Sequence, residues 1–184
     1  MIIVIGGRAG SGKSTVAKLL SESLKLKYYS MGDLTRKIAK EKKISLTELN
    51  KLEETDPAID KQIDNLQKEL GEKEDDFVID SRLGILFIPN ANFKVFLDAD
   101  EDIRAERIFR ESRLDELSNE PKDTIAKIRS REESDIRRYT QYYDFNCYDK
   151  NKYDIVINTT NLKPEEVVKI IVEKVKNKIY SRSK

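Results

Sequence analysis

The residues with the most definite chemistry are Gly7-Arg8-Ala9-Gly10-Ser11-Gly12-Lys13-Ser14-Thr15, directly after the apolar run Ile2-Ile3-Val4-Ile5. Their spacing matches Gly-x-x-x-x-Gly-Lys-[Ser/Thr]. In that pattern loop N–H groups converge on phosphate oxygens, the lysine (Lys13) reaches the β- and γ-phosphates, and the hydroxyl (Ser14) ligates magnesium. An ordinary strand-to-helix turn would leave three glycines in one loop unexplained, whereas a backbone that closes on a ligand uses them. Asp80 ends the apolar run Phe77-Val78-Ile79. There it is placed to hold magnesium or its water shell beside Ser14, and Arg82 could bridge phosphates bidentately.

Arginine is distributed unevenly. Arg104, Arg107, Arg110, Arg113, Arg129, Arg131, Arg137 and Arg138 crowd one segment, while lysines are scattered throughout. Arginine offers a planar, permanently charged fork suited to phosphate, and lysine mostly supplies solubility. Arg131, Asp135 and Arg138 fall at helical spacings of four and three, on one face. Pairing with Glu106, Glu111, Glu132 and Glu133 is the alternative for part of the set. Arg36, in the first turns of the helix after the second strand, would face an acceptor phosphate across from the cradle. Tyr139, Tyr142 and Tyr143 could stack on a base or simply pack. Phosphoryl transfer needs positioning and charge neutralisation more than covalent chemistry, so a lysine, a metal and arginines suffice in a chain without histidine. The polar stretch Ser112–Asp123 between two arginine-rich helices suits a lid that excludes water, or an exposed connection.

The chain has 184 residues with net charge +1, so no global field recommends nucleic acid, membrane or acidic partners. One cysteine, Cys147, can form no internal disulfide, and no apolar run approaches membrane length. A reducing, cytoplasmic setting is expected.

The elements that must position these residues alternate. Strands are expected at Ile2–Ile5, Leu26–Ser30, Phe77–Ile79, Phe93–Leu97 and Tyr153–Ile157, with helices between them and a final helix opened by Pro164. Ser45-Leu46-Thr47-Glu48 forms a capping-box start, and Asp56-Pro57 opens a helix with Ile59, Ile63, Leu66 and Leu70 on its apolar face, ending at Gly71. The alternation predicts an α/β fold with a five-stranded parallel sheet flanked by helices, in one domain. Ligands in such sheets lie beyond the carboxyl ends of the strands, which puts Gly7–Ser14, Ser30–Asp33, Asp80–Arg82 and Asp98–Asp100 on one rim.

Four segments, Gly7–Thr15, Ser30–Arg36, Phe77–Asp100 and Ile128–Arg138, resemble the nucleoside monophosphate kinases. Within them the resemblance is to the cytidylate kinases, most of all their short archaeal-type members. It covers nearly the whole chain. It implies the P-loop NTPase fold, with a helical acceptor-binding insertion at about 33–71 and an arginine-rich lid at about 110–125. It further implies transfer of the ATP γ-phosphate to CMP, and also dCMP, with magnesium. A monomer is expected. By position, Lys13 and Ser14 would serve ATP and metal, Asp80 the metal or acceptor, and Arg36 and Arg82 the acceptor phosphate. Arg131, Asp135 and Arg138 would serve the acceptor nucleotide and the transferring group. Bacterial cytidylate kinases tend to show Asp-Gly-Arg-Asp where this chain has Asp80-Ser81-Arg82-Leu83, so a carboxylate expected near the acceptor base is absent. Their longer acceptor-domain insert is missing too. An adenylate kinase, suggested by Met31-Gly32-Asp33-Leu34-Thr35-Arg36, and an ATP-dependent RNA-binding protein are the competing readings.

Overall fold

Ile3, Val4 and Ile5 are fully buried and Ile2 nearly so, a state open only to a central strand covered on both faces. A computed structural model of the chain describes residues 1–110 and 121–182. In it β1 (Ile2–Gly7) pairs in parallel with β3 (Phe77–Asp80) on one side and β4 (Phe93–Asp98) on the other. β2 (Lys27–Ser30) and β5 (Ile155–Asn158) form the edges, giving the order β2-β3-β1-β4-β5. The expected five-stranded parallel sheet is therefore present, each strand within two residues of its predicted position.

Alternation along β1 divides the core. Ile2 and Val4 join one apolar cluster with Phe77, Ile79 and Phe96, while Ile3 and Ile5 join another with Val78, Val95 and Leu97. The second cluster is closed by α1 (Lys13–Leu24) and α8 (Pro164–Arg182), through Val16, Leu20, Val167 and Ile171. The first is closed by α2 (Met31–Lys42), α3 (Leu46–Thr55), α4 (Pro57–Lys73) and the short α5 (Gly84–Phe87). α6 (Glu101–Arg110) and α7 (Pro121–Tyr143) pack together through Ala105, Ile108 and Ile128.

Local signals decide the helix ends. Ser45 and Glu48 form both halves of a capping box, and Asp56 caps α4 by accepting from the Ala58 N–H at 2.9 Å, with Pro57 next in the first turn. α4 runs on past Gly71 to Lys73, and α7 runs from Pro121 to Tyr143. Of the expected lid at about 110–125, residues 111–120 lie outside the described residues.

β1 ends on Gly7, whose φ of +133° is closed to ordinary side chains, and a Cβ there would sit 2.0 Å from the Leu97 carbonyl oxygen. Both constraints fix the turn that launches the phosphate loop. Gly7→Ala is expected to destabilise the protein by roughly 2 kcal/mol or more in denaturant unfolding; wild-type stability in that variant would show the turn to be adaptable.

Candidate active site

The loop opens into a helix whose first turn has no local partner for its amides. Gly12 is the N-cap of α1 at φ +86°, no side chain caps the helix, and its first turn carries no acid. Several backbone N–H groups and the positive end of the helix dipole are thus left to an anion. A Cβ on Gly12 would meet nothing within 4 Å, whereas one on Gly10 would come 2.5 Å from the Arg104 carbonyl oxygen. The loop is open toward the ligand side and pressed against α6 behind.

Other contacts brace it. The Lys13 Nζ donates to the Arg8 carbonyl at 2.8 Å, and the Thr159 hydroxyl donates to the Ser11 carbonyl at 3.0 Å. The Arg8 side chain turns away to Glu132, with its guanidinium 5.1 Å over the Tyr148 ring. Arg104 donates to the other Glu132 oxygen at 2.7 Å. Ala9, Gly10, Gly12, Lys13, Ser14 and Thr15 line a solvent-open cleft of about 1070 Å³, and Gly7, Arg8 and Ser11 stand behind its wall.

Ser14 and Asp80 share this cleft. The Tyr28 hydroxyl links them, lying 3.1 Å from Asp80 Oδ2 and 3.5 Å from the Ser14 carbonyl. Ser30 Oγ donates to the same Asp80 oxygen at 3.0 Å, so both hydrogen bonds fall on Oδ2 and neither uses Oδ1. One hydroxyl and one carboxylate suit magnesium, which keeps several waters and takes its remaining ligands from phosphates. Among the described residues no group of three or more His, Cys, Asp or Glu forms an all-protein metal cage. At the helix start Ser30–Arg36 the cap is filled, because Ser30 Oγ accepts from the Asp33 N–H at 3.2 Å, and Met31, Gly32, Thr35 and Arg36, the last paired with Asp33, line the cleft.

The other wall comes from α3 and α4. Arg36, Arg82 and Arg131 line it together with Glu53, Asp60, Asp64 and Gln67. Asp135 and Arg138 do not line the cleft; they form the layer beneath. Asp135, 1% exposed, accepts from Arg138 Nη2 at 3.2 Å and from the Tyr148 hydroxyl at 2.9 Å, and it pairs with Arg82 Nε at 3.0 Å. Arg138 also reaches Asp60 at 2.6 Å and Glu53 at 3.1 Å. Burial opposes the charges of Arg82 and Arg138, yet their anionic neighbours keep both pKa values above the usual arginine range. Burial pushes the Glu53 carboxyl up to about 7 and Asp64 to about 6, and raises Asp60, against the pull of Arg138.

These four α3 and α4 residues escaped the sequence reading. The signal was Asp60, Asp64 and Gln67 at spacings of four and three, one step round the helix from the apolar stripe. Gln67 is 1% exposed while Leu66, assigned to the apolar face, is 37% exposed. The cleft therefore has carboxylates although Leu83 replaces the expected one. Arg107 was one of several candidates; it lines the cleft and donates to Thr159 Oγ1 at 3.0 Å and to the Thr159 carbonyl at 2.7 Å. Tyr139 lines the cleft, whereas Tyr143 donates to Asp64.

An uncapped helix start after a glycine loop, at the carboxyl edge of a parallel sheet, defines a phosphate-loop nucleotide-binding protein. The shikimate kinase of Aquifex aeolicus has the same fold, with a TM-score of 0.59 and 23% identity, covering 98% of this chain and 99% of that one. Residues 2–161 match the cytidylate kinase-like family, and the chain belongs to that family. It is 42% identical to the cytidylate kinase of Sulfurisphaera tokodaii over 172 residues, 93% of each chain. With the cytidylate kinase of Archaeoglobus fulgidus it shares 39% identity, over 97% of this chain and 96% of the relative.

The buried acids make stability depend on pH. Because folded Glu53 binds its proton more tightly than the unfolded chain does, its contribution is greatest below the ordinary value of 4.5 and is lost as pH rises through about 7. Glu53→Gln removes that loss. Between pH 5 and pH 8 the wild type is expected to lose on the order of 1 to 3 kcal/mol relative to the variant in denaturant titrations. Parallel pH profiles of the two proteins would refute a proton held at Glu53.

Proposed function

We propose that the chain is a cytidylate kinase that transfers the γ-phosphate of ATP to CMP, and to dCMP, yielding ADP and CDP or dCDP. The observation that carries this is one cleft with two cationic ends: the uncapped start of α1 with Lys13, and the set Arg36, Arg82 and Arg131. A hydrolase needs only the first. The names of the archaeal relatives supply the acceptor.

In this reading the backbone of Gly10–Thr15 cradles the ATP phosphates, and Lys13 Nζ exchanges the Arg8 carbonyl for phosphate oxygens. Arg36 and Arg82 hold the acceptor phosphate, and Arg131 offsets charge on the group in transfer. Ser14 and Asp80 would hold magnesium, which shields the phosphate charge when bound. Asp135 and Arg138 position Arg82 and Asp60 from below instead of touching the reacting atoms. The enzyme acts as one kinase domain with an acceptor-binding insertion at about 33–71. It works as a monomer in the cytoplasm, a setting that suits its one thiol, Cys147, which is buried with its pKa raised to about 12. No described helix is long and apolar enough to cross a membrane.

ADP release from ATP is expected to accelerate with CMP and dCMP and far less with AMP, GMP or UMP; no acceleration by any of them would sink the assignment. Lys13→Ala should lower kcat by on the order of a hundred- to a thousandfold with an unchanged melting temperature. Arg131→Ala should lower kcat with little change in the KM for ATP, and an effect confined to that KM would move Arg131 to the donor side.

A further inference from the structure

We propose that Thr159 is a positioning residue for the phosphoryl donor: its hydroxyl, held by Arg107, fixes the Ser11 carbonyl behind the phosphate loop and so aims the Gly12 N–H into the cleft. The proposal rests on the reading of Gly10–Thr15 as the donor cradle. In a trans peptide the C=O and the following N–H point in opposite directions, so a loop that presents amides to an anion turns its carbonyls to the rear. Carbonyls buried there need donors. The Ala9 carbonyl accepts from Arg104 Nη1 at 3.2 Å, and the Ser11 carbonyl accepts from the Thr159 hydroxyl at 3.0 Å.

Thr159 directly follows β5 and is buried, as is Ser11. The direction of its hydroxyl proton is set from the other side. Arg107 Nη1 donates to Thr159 Oγ1 at 3.0 Å, and Nη2 donates to the Thr159 carbonyl at 2.7 Å. A guanidinium only donates, so the hydroxyl turns its own hydrogen away from Arg107. Two carbonyls stand there: that of Ser11, and that of Asp98 at 3.1 Å, which already accepts the Thr159 N–H at 2.7 Å. The Ser11–Gly12 peptide is the one that needs such a brace. Gly12 sits at φ +86° with open space where a Cβ would be, and glycine lets the peptide plane rotate at little cost. Without the hydroxyl, the buried Ser11 carbonyl gains by turning toward water in the cleft, which swings the Gly12 N–H out of the cradle.

The test measures calorimetric affinities for ATP and for inorganic tripolyphosphate, which has no base, in the wild type, Thr159→Val and Thr159→Ser. Thr159→Val keeps the shape and removes the hydroxyl. It should weaken both ligands about tenfold and raise the KM for ATP, with the KM for CMP unchanged. Thr159→Ser keeps the hydroxyl and should stay within about twofold of the wild type. Weaker ATP with unaltered tripolyphosphate would put Thr159 at the base end, and unaltered affinity for both would make it a packing residue. Either result overturns the inference while the kinase assignment stands. A Thr159→Ser variant as weak as Thr159→Val overturns it also, as does a KM for CMP that rises in step with that for ATP. A wild type that binds ATP but not tripolyphosphate overturns it too, and one that binds neither overturns the cradle as well. Should Thr159→Val fail to fold, Thr159→Ala removes the same hydroxyl and is held to the same outcomes.

Discussion

The buried carboxylate of Asp135 is the interaction on which the site depends. It gathers Arg82 from the segment after β3, Arg138 from its own helix and Tyr148 from the loop before β5. Arg138 then extends the contact to Glu53 on α3 and Asp60 on α4. Removing one member of such a buried set leaves a charge without compensation, at a cost of roughly 3–5 kcal/mol, so the arrangement is close to all-or-none. The gain is geometric. A guanidinium held by carboxylates in a dry layer keeps its place, and Arg82 reaches the cleft wall from that anchor.

α7 carries this order from one half of the cleft to the other. Glu132 brackets Arg8 of the phosphate loop and Arg104 of α6, Asp135 and Arg138 form the buried hub, and Tyr143 reaches Asp64. At 1.5 Å per residue, Glu132 and Tyr143 lie about 16 Å apart along one rigid element. A reaction between two bound nucleotides depends on their separation, and a single helix touching the supports of both is a direct way to set it. Ser134 and Arg137 add two contacts to Glu54 from the same helix.

The cleft keeps charge at a cost in stability. Burial raises Glu53, Asp60 and Asp64 above their ordinary values, so their ionised forms are less comfortable in the fold than in water. Apolar residues would pack α3 and α4 more stably but could not anchor Arg138. Functional sites often retain such unfavourable groups because the rest of the fold supplies the stability.

The sequence by itself determined the sheet, the phosphate loop and most helix starts, because each rests on a local rule. An apolar run makes a buried strand, a glycine-lysine spacing makes the cradle, and Ser45 and Asp56 cap within three residues of themselves. Lys13, Ser14, Asp80 and Arg82 were legible for the same reason, since strand ends and a helix start place them on one rim, whereas Arg36 and Arg131, within α2 and α7, were legible only as arginines suited to phosphate. Only the tertiary structure decided which charges pair. It assigned Arg8 and Arg104 to Glu132, withdrew Asp135 and Arg138 beneath the wall, and turned Asp60, Asp64 and Gln67 inward where a polar face was expected outside. Those outcomes depend on which helices meet across the cleft, with partners about eighty residues apart for Arg138–Asp60 and Tyr143–Asp64. Helical periodicity reports which residues share a face, whereas the element packed against that face decides whether a carboxylate meets water or a guanidinium.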